Sequence, residues 1–77
     1  MNTIEKKTIE SAIKFGFTFK NDSFFTTYNQ GNRVINKLTK MGYLAPKENE
    51  YGTEYTPTLA AADFVKYGLT IEEVSLL

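Results

Sequence analysis

At 77 residues with neither cysteine nor histidine, the chain is short enough to form one domain, residues 1–77, and lacks thiolates and imidazoles for disulfides, structural zinc or general-base catalysis. Its 42% hydrophobic and 14% aromatic content is enough for a packed core and excludes a disordered polymer. The net charge is zero, yet residues 1–47 carry eight Lys or Arg against three Asp or Glu, while residues 48–77 carry one against six. A polyanion would feel the basic half, and a basic surface the acidic half.

The first element in chain order is a helix over about 3–15. Asn2 can cap it, and Glu5 three positions on completes a capping-box spacing. Ile4, Thr8, Ala12 and Phe15 follow helical periodicity, Ile9 and Ile13 widen the stripe, and Gly16 stops it. Residues 17–28 admit two readings. One is a short strand at Phe17–Phe19 followed by a helix from Ser23 to Tyr28 capped by Asp22. The other is two strands, Phe17–Lys20 and Phe24–Thr27, around an Asn21-Asp22 turn, which the aromatic and threonine content favours.

The clearest element is a helix over 29–41. Val34, Ile35, Leu38 and Met41 share one arc; Asn29, Asn32, Arg33, Asn36 and Lys40 share the opposite arc, with Lys37 at the flank. Gly42 ends it. Tyr43-Leu44-Ala45 opens a strand in which Pro46 requires an edge, Lys47–Glu54 forms a turn with Gly52 available for positive φ, and Tyr55-Thr56 returns before Pro57. Thr58 caps a further helix with Leu59, Ala62, Phe64 and Val65, closed by Gly68. Thr70 and Glu73 have capping-box spacing for a last short helix bearing Leu69, Ile71, Val74 and Leu77.

Gly31-Asn32-Arg33-Val34-Ile35-Asn36-Lys37-Leu38 followed by Met41-Gly42-Tyr43-Leu44 resembles the recognition helix and first wing strand of the winged helix-turn-helix superfamily. The run from Tyr28 to Ile35 is similar to the small DNA-reading domain of bacterial DNA translocases. Tyr55, Thr58 and Phe64 resemble the strand-to-helix junction of MarR- and PadR-like groups. The resemblance covers roughly residues 21–68 and implies an α+β, mostly α fold: a three-helix core, a two- or three-stranded β-wing and a C-terminal helix. That pattern needs the helix at Ser23–Tyr28, so of the two readings above the helix is adopted.

The same resemblance implies that Asn29, Gln30, Asn32, Arg33, Asn36, Lys37 and Lys40 face double-stranded DNA. Asn and Gln pair bidentately with adenine and Arg with guanine in the major groove, while lysines supply the salt-dependent phosphate attraction. Lys6, Lys7 and Lys14 would add phosphate contacts. The expected function is therefore a small transcriptional regulator, with a homodimer possible and a phage or mobile-element setting suited to its size. The wing departs from the family, since Lys47 is outnumbered by Glu48, Glu50 and Glu54, which would repel phosphate.

That departure supports an alternative: a non-enzymatic protein-binding winged helix that uses Glu48, Glu50, Tyr51 and Glu54, together with its acidic tail, to block a nucleic-acid-binding protein. Catalysis is not expected. Ser11, Ser23 and Ser75 have no histidine to activate them, and the paired acids Glu48/Glu50 and Glu72/Glu73 fit solvated surface. The glycines sit at element ends and form no phosphate-binding loop. No cofactor or metal is implied. With no signal peptide and no apolar run of membrane-spanning length, the expected location is cytoplasmic. Phe17, Phe19, Phe24, Phe25 and Phe64 are read as core, the alternative for them being an exposed platform that stacks bases beside Lys14 and Lys20.

Overall fold

A computed structural model describes residues 1–68 of the chain. In order, they form α1 (Thr3–Phe15), α2 (Tyr28–Lys40), β1 (Leu44–Asn49), β2 (Gly52–Pro57) and α3 (Leu59–Tyr67), a mixed α+β arrangement about half helical. The helix expected around Thr70 and Glu73, and the acids Glu72 and Glu73, lie outside the described residues.

The expected capping box starts α1. Asn2 Oδ1 accepts the Glu5 N–H at 2.9 Å, and Asn2 N–H donates to Glu5 Oε1 at 3.0 Å. Gly16 closes the helix in the left-handed region at φ 87°. The buried stripe is Glu5, Thr8, Ile9 and Ala12, displaced from the expected Ile4–Phe15 line; Ile4 and Ile13 are half-buried and Phe15 is exposed. Thr8 meets the cost of burying its hydroxyl by donating to the Ile4 carbonyl at 2.7 Å.

Residues 17–27 form neither the helix nor the hairpin expected there. Thr18 makes an isolated antiparallel bridge to Tyr55, exchanging two backbone hydrogen bonds of 2.8 Å each. The chain then turns: Asp22 N–H donates to the Phe19 carbonyl and Phe25 N–H to the Asp22 carbonyl. Competition for the same residues explains the missing helix. Thr27 is the N-cap of α2, its hydroxyl accepting the Gln30 N–H, and Thr26 donates its N–H and hydroxyl to Gln30 Oε1. Too few residues remain for a stable helical turn, and aromatic and β-branched side chains favour one weakly. Phe25 enters the core, with the Phe24 ring 4.4 Å from its own.

Gly31, in the first turn of α2, is buried because the Lys20 carbonyl lies against it. A Cβ at position 31 would overlap that oxygen and stand 2.9 Å from Phe25 Cδ2. This glycine is therefore a packing contact inside a helix, where the sequence reading had placed it among element ends. At the other end, Gly42 takes φ 90°, with Gly42 N–H donating to the Thr39 carbonyl and Tyr43 N–H to the Leu38 carbonyl. That pair of bonds is the Schellman arrangement, which satisfies carbonyls the helix end leaves over.

β1 and β2 form an antiparallel hairpin in the register Leu44↔Pro57 to Asn49↔Gly52. Tyr55 spends both backbone groups on Thr18, so it forms a non-hydrogen-bonded pair with Pro46, and the proline's missing N–H costs nothing there. Asn49 Oδ1 accepts the Tyr51 N–H across the turn at 2.9 Å, and Gly52 supplies the positive φ of 131°. Thr58 then joins three elements. Its hydroxyl donates to the Gly42 carbonyl at 2.6 Å and accepts the Ala61 N–H, while its own N–H donates to the Tyr43 carbonyl.

The core is Ile9, Ala12, Phe25, Val34, Ile35, Leu38, Tyr43, Leu44, Tyr55 and Ala61, with the Phe64 ring edge-on to Tyr43 at 6.1 Å. Val34, Ile35 and Leu38 supply the side of α2 that faces it. Of the expected core phenylalanines, Phe25 is buried, Phe19, Phe24 and Phe64 are half-buried, and Phe17 is exposed.

Replacing Gly31 with alanine tests the close approach. Helix propensity alone favours alanine by up to about 1 kcal/mol. The overlap with the Lys20 carbonyl instead predicts a net loss of about 1–3 kcal/mol in urea unfolding. A stabilised Gly31→Ala variant would show that the contact is loose.

Candidate nucleic-acid interface

The outward face of α2 is defined by what its opposite face buries. Gly31, Val34, Ile35 and Leu38 fix the rotation of the helix against the core, and Asn29, Arg33, Asn36 and Lys40 follow one stripe on the far side. These four are exposed and Asn32, beside them, is half-buried. The Asn36 amide donates to Asn32 Oδ1 at 3.3 Å, which orders two of the amides side by side. No acid lies within α2. Asn29, Arg33 and Lys40 have no polar partner among the described residues, so their donors stay available.

Two of the seven expected contact residues are drawn into holding the fold. Gln30 Oε1 accepts from Thr26, which ties its amide to the helix start. Lys37 Nζ lies 2.8 Å from Glu5 Oε2, linking α2 to the first turn of α1. The Glu5 side chain is only 4% exposed, whereas that of Lys37 is 56% exposed. Burial works against the Glu5 carboxylate. The Lys37 ammonium, the Asn2 backbone N–H and the chain's amino terminus outweigh it and hold its pKa below the ordinary carboxylate value.

The hairpin residues of the alternative protein-binding reading divide in the same way. Glu48, Glu50 and Tyr51 are exposed, with Tyr51 at 91% the most open aromatic, while Glu54 is half-buried opposite Lys47. Tyr51 and Glu54 line a groove of about 500 Å³ with Phe17, Phe19, Lys20, Asn21, Tyr28, Asn49 and Tyr55; Glu48 and Glu50 lie outside that lining. Phe17 and Phe19 stack at 6.1 Å. Their role as a groove wall was legible only as the weaker alternative of an exposed aromatic platform.

Lys20 and Lys14 do not sit together beside such a platform. Lys20 Nζ stands 5.7 Å over the Tyr55 ring and Lys14 Nζ 5.4 Å over Phe15. Among the described residues no three acidic side chains converge on a point that could hold a metal ion, and no helix is long and apolar enough to cross a membrane. Comparison of the chain with protein-family models, curated proteins and solved structures returns no match.

The Glu5–Lys37 pair makes a signed prediction. A lowered folded pKa adds stability that is present above the ordinary carboxylate value of about 4.3 and is lost as pH falls through the lower folded value. Acid titration of unfolding should therefore show a component that Glu5→Gln removes while the capping box survives. Lys37→Met should cost about 1–3 kcal/mol at neutral pH, less than for a fully buried pair because the lysine is in water, and should raise the Glu5 pKa measured by NMR. An unmoved Glu5 pKa in Lys37→Met would contradict the pairing.

Proposed function

We propose that this chain is a small winged helix that binds double-stranded DNA, laying α2 in the major groove to regulate transcription. One observation carries the reading: the outer stripe of α2 holds Asn29, Arg33, Asn36 and Lys40, all exposed, with no acid among them, on a helix whose other face is locked into the core. A 13-residue helix is about 20 Å long, and a B-DNA major groove about 12 Å wide admits it. The order helix, bridging strand, helix, hairpin, helix is compatible with a winged layout, with Thr18 in the place of a third strand beside β2. The helix that normally precedes the reading helix is replaced by the 19–27 turns, so the angle of α2 is set by Gly31 and Thr27.

Within this reading, Arg33 pairs with guanine and Asn29, Asn32 and Asn36 with adenine. Lys40 meets phosphate, with Lys6, Lys7 and Lys14 as further cations. Gln30 and Lys37 drop from the contact set because their polar groups hold α2 in place. The acidic hairpin is kept off the backbone, unlike a basic wing. Two copies on adjacent turns of the duplex would double the contacts that one short helix supplies.

The test is affinity for duplex DNA as a function of salt. The expected log–log slope is roughly −0.9 per phosphate contacted, and Lys40→Ala should reduce its magnitude by about one contact. Arg33→Ala should cost about 1–3 kcal/mol and relax preference at one base pair. No duplex binding at low salt, or affinity untouched by Arg33→Ala, would overturn the reading.

A further inference from the structure

The groove beside the hairpin uses none of the α2 stripe, and its backbone shows what would fit it. Tyr55 directs its N–H and carbonyl at Thr18, away from β1. In an antiparallel ladder residues two apart point the same way, so Thr53 directs its N–H and carbonyl at that same edge. Continuing the Thr18 bridge would put residue 20 opposite Thr53. The chain leaves the sheet there instead, because Lys20 is in a turn and its carbonyl lies against Gly31. Among the described residues nothing pairs with that donor and acceptor of the exposed Thr53, which lines the groove. The group that matches such a pair at strand spacing is an extended backbone.

The lining sets the side chains. Phe17 and Phe19 flank Thr18 and so share one side of the bridging segment, which gives the groove an apolar wall. Tyr28 and Tyr51, 62% and 91% exposed, offer ring faces, and Glu54 lies in the same lining. Lys20, the lysine in the lining, is held over the Tyr55 ring. From Lys47 to Glu54 the hairpin has one cation against three carboxylates. A guanidinium satisfies both a tyrosine face and a carboxylate, whereas a phosphate backbone in the groove would meet Glu54, with Glu48 and Glu50 nearby on the same hairpin though outside the lining. Two copies pairing edge to edge about Thr53 would set their Glu54 side chains on one face of the joint sheet, a like-charge arrangement.

We infer that this groove docks an extended, arginine-bearing segment of another protein, added as a strand along the Thr53 edge with a guanidinium between Tyr51 and Glu54.

The experiment is an amide NMR titration of the full chain with a short capped peptide alternating threonine and arginine. Parallel titrations use its threonine–glutamate counterpart, an N-methylated version unable to donate from alternate residues, and single-stranded oligothymidylate. The arginine peptide should shift the Thr53, Glu54 and Phe19 amides and slow hydrogen exchange at Thr53. Combining Tyr51→Ala with Glu54→Gln, both outside the core, should weaken it about tenfold with the remaining spectrum unchanged. Arg33→Ala, aimed at duplex binding, should leave the peptide titration as it is, which separates this site from the α2 stripe. The inference fails if the arginine peptide produces no shifts, or if the glutamate or N-methylated peptide binds as well. It fails equally if oligothymidylate occupies the groove more tightly, or if Thr53 shifts with protein concentration alone, which would make a second copy the occupant.

Discussion

The contact between the Lys20 carbonyl and Gly31 is the constraint on which most of this structure turns. It brings the backbone of the 17–27 segment against the first turn of α2, closer than any side chain at position 31 would permit. Phe25 can then reach the core beneath α2, and Thr27 is delivered to the cap position. The same contact takes residue 20 out of line with β2 and ends the sheet pairing after a single bridge. A helix position and an unpaired sheet edge thus share one cause.

Two further ties hold α2 in place, both toward its C-terminal end. Near the start of α1, the Lys37–Glu5 pair joins the two helices through a carboxylate that is buried and also completes a capping box. Just beyond the helix, the Gly42 turn hands the chain to Tyr43, and Thr58 fastens that turn to the start of α3. With Gly31 and Thr27 holding its first turn, these ties set the rotation of α2 so that its apolar side faces the core and its amides and cations face outward. Availability on that outer face is uneven for the same reason, since a polar group enlisted as a tie is removed from any contact with a partner.

The hairpin has a different economy. Its prolines stand opposite residues that form no ladder bond to them, Pro46 against Tyr55 and Pro57 against Leu44, so the strands tolerate two residues that cannot both donate and extend. Glu48 and Glu50 are solvated, Glu54 is half-buried opposite Lys47, and the hairpin tip exposes Tyr51 where no core demands it. Positive charge concentrated up to Lys47 lies largely on α1 and α2, and the carboxylates Glu48, Glu50 and Glu54 lie on the hairpin. The two proposed binding surfaces follow that division.

Residue order alone determined the local structure wherever a short-range rule decides it. Asn2 with Glu5, Gly16, Gly42, the positive φ of Gly52, the cap at Thr58 and the amphipathic α2 were all readable, because capping, positive φ and helical periodicity act within a few residues. The outer stripe of α2 was readable for the same reason. The expected Lys47–Glu54 turn, by contrast, is mostly strand, paired from Asn49 and Gly52 outward. Tertiary contacts decided the rest. The Ser23–Tyr28 helix was lost to Thr27 capping α2 and to Phe25 entering the core, and Gly31 proved to be a packing site instead of a terminus. Lys37 and Gln30 were withdrawn from the set of unpaired contact groups by partners Glu5 and Thr26, the first of them 32 positions away in the chain. Phe17, Phe19 and Tyr28 became a groove wall only because the chain leaves β2 at Lys20. Each depends on which distant backbone comes within a few ångströms, and no local pattern encodes that distance.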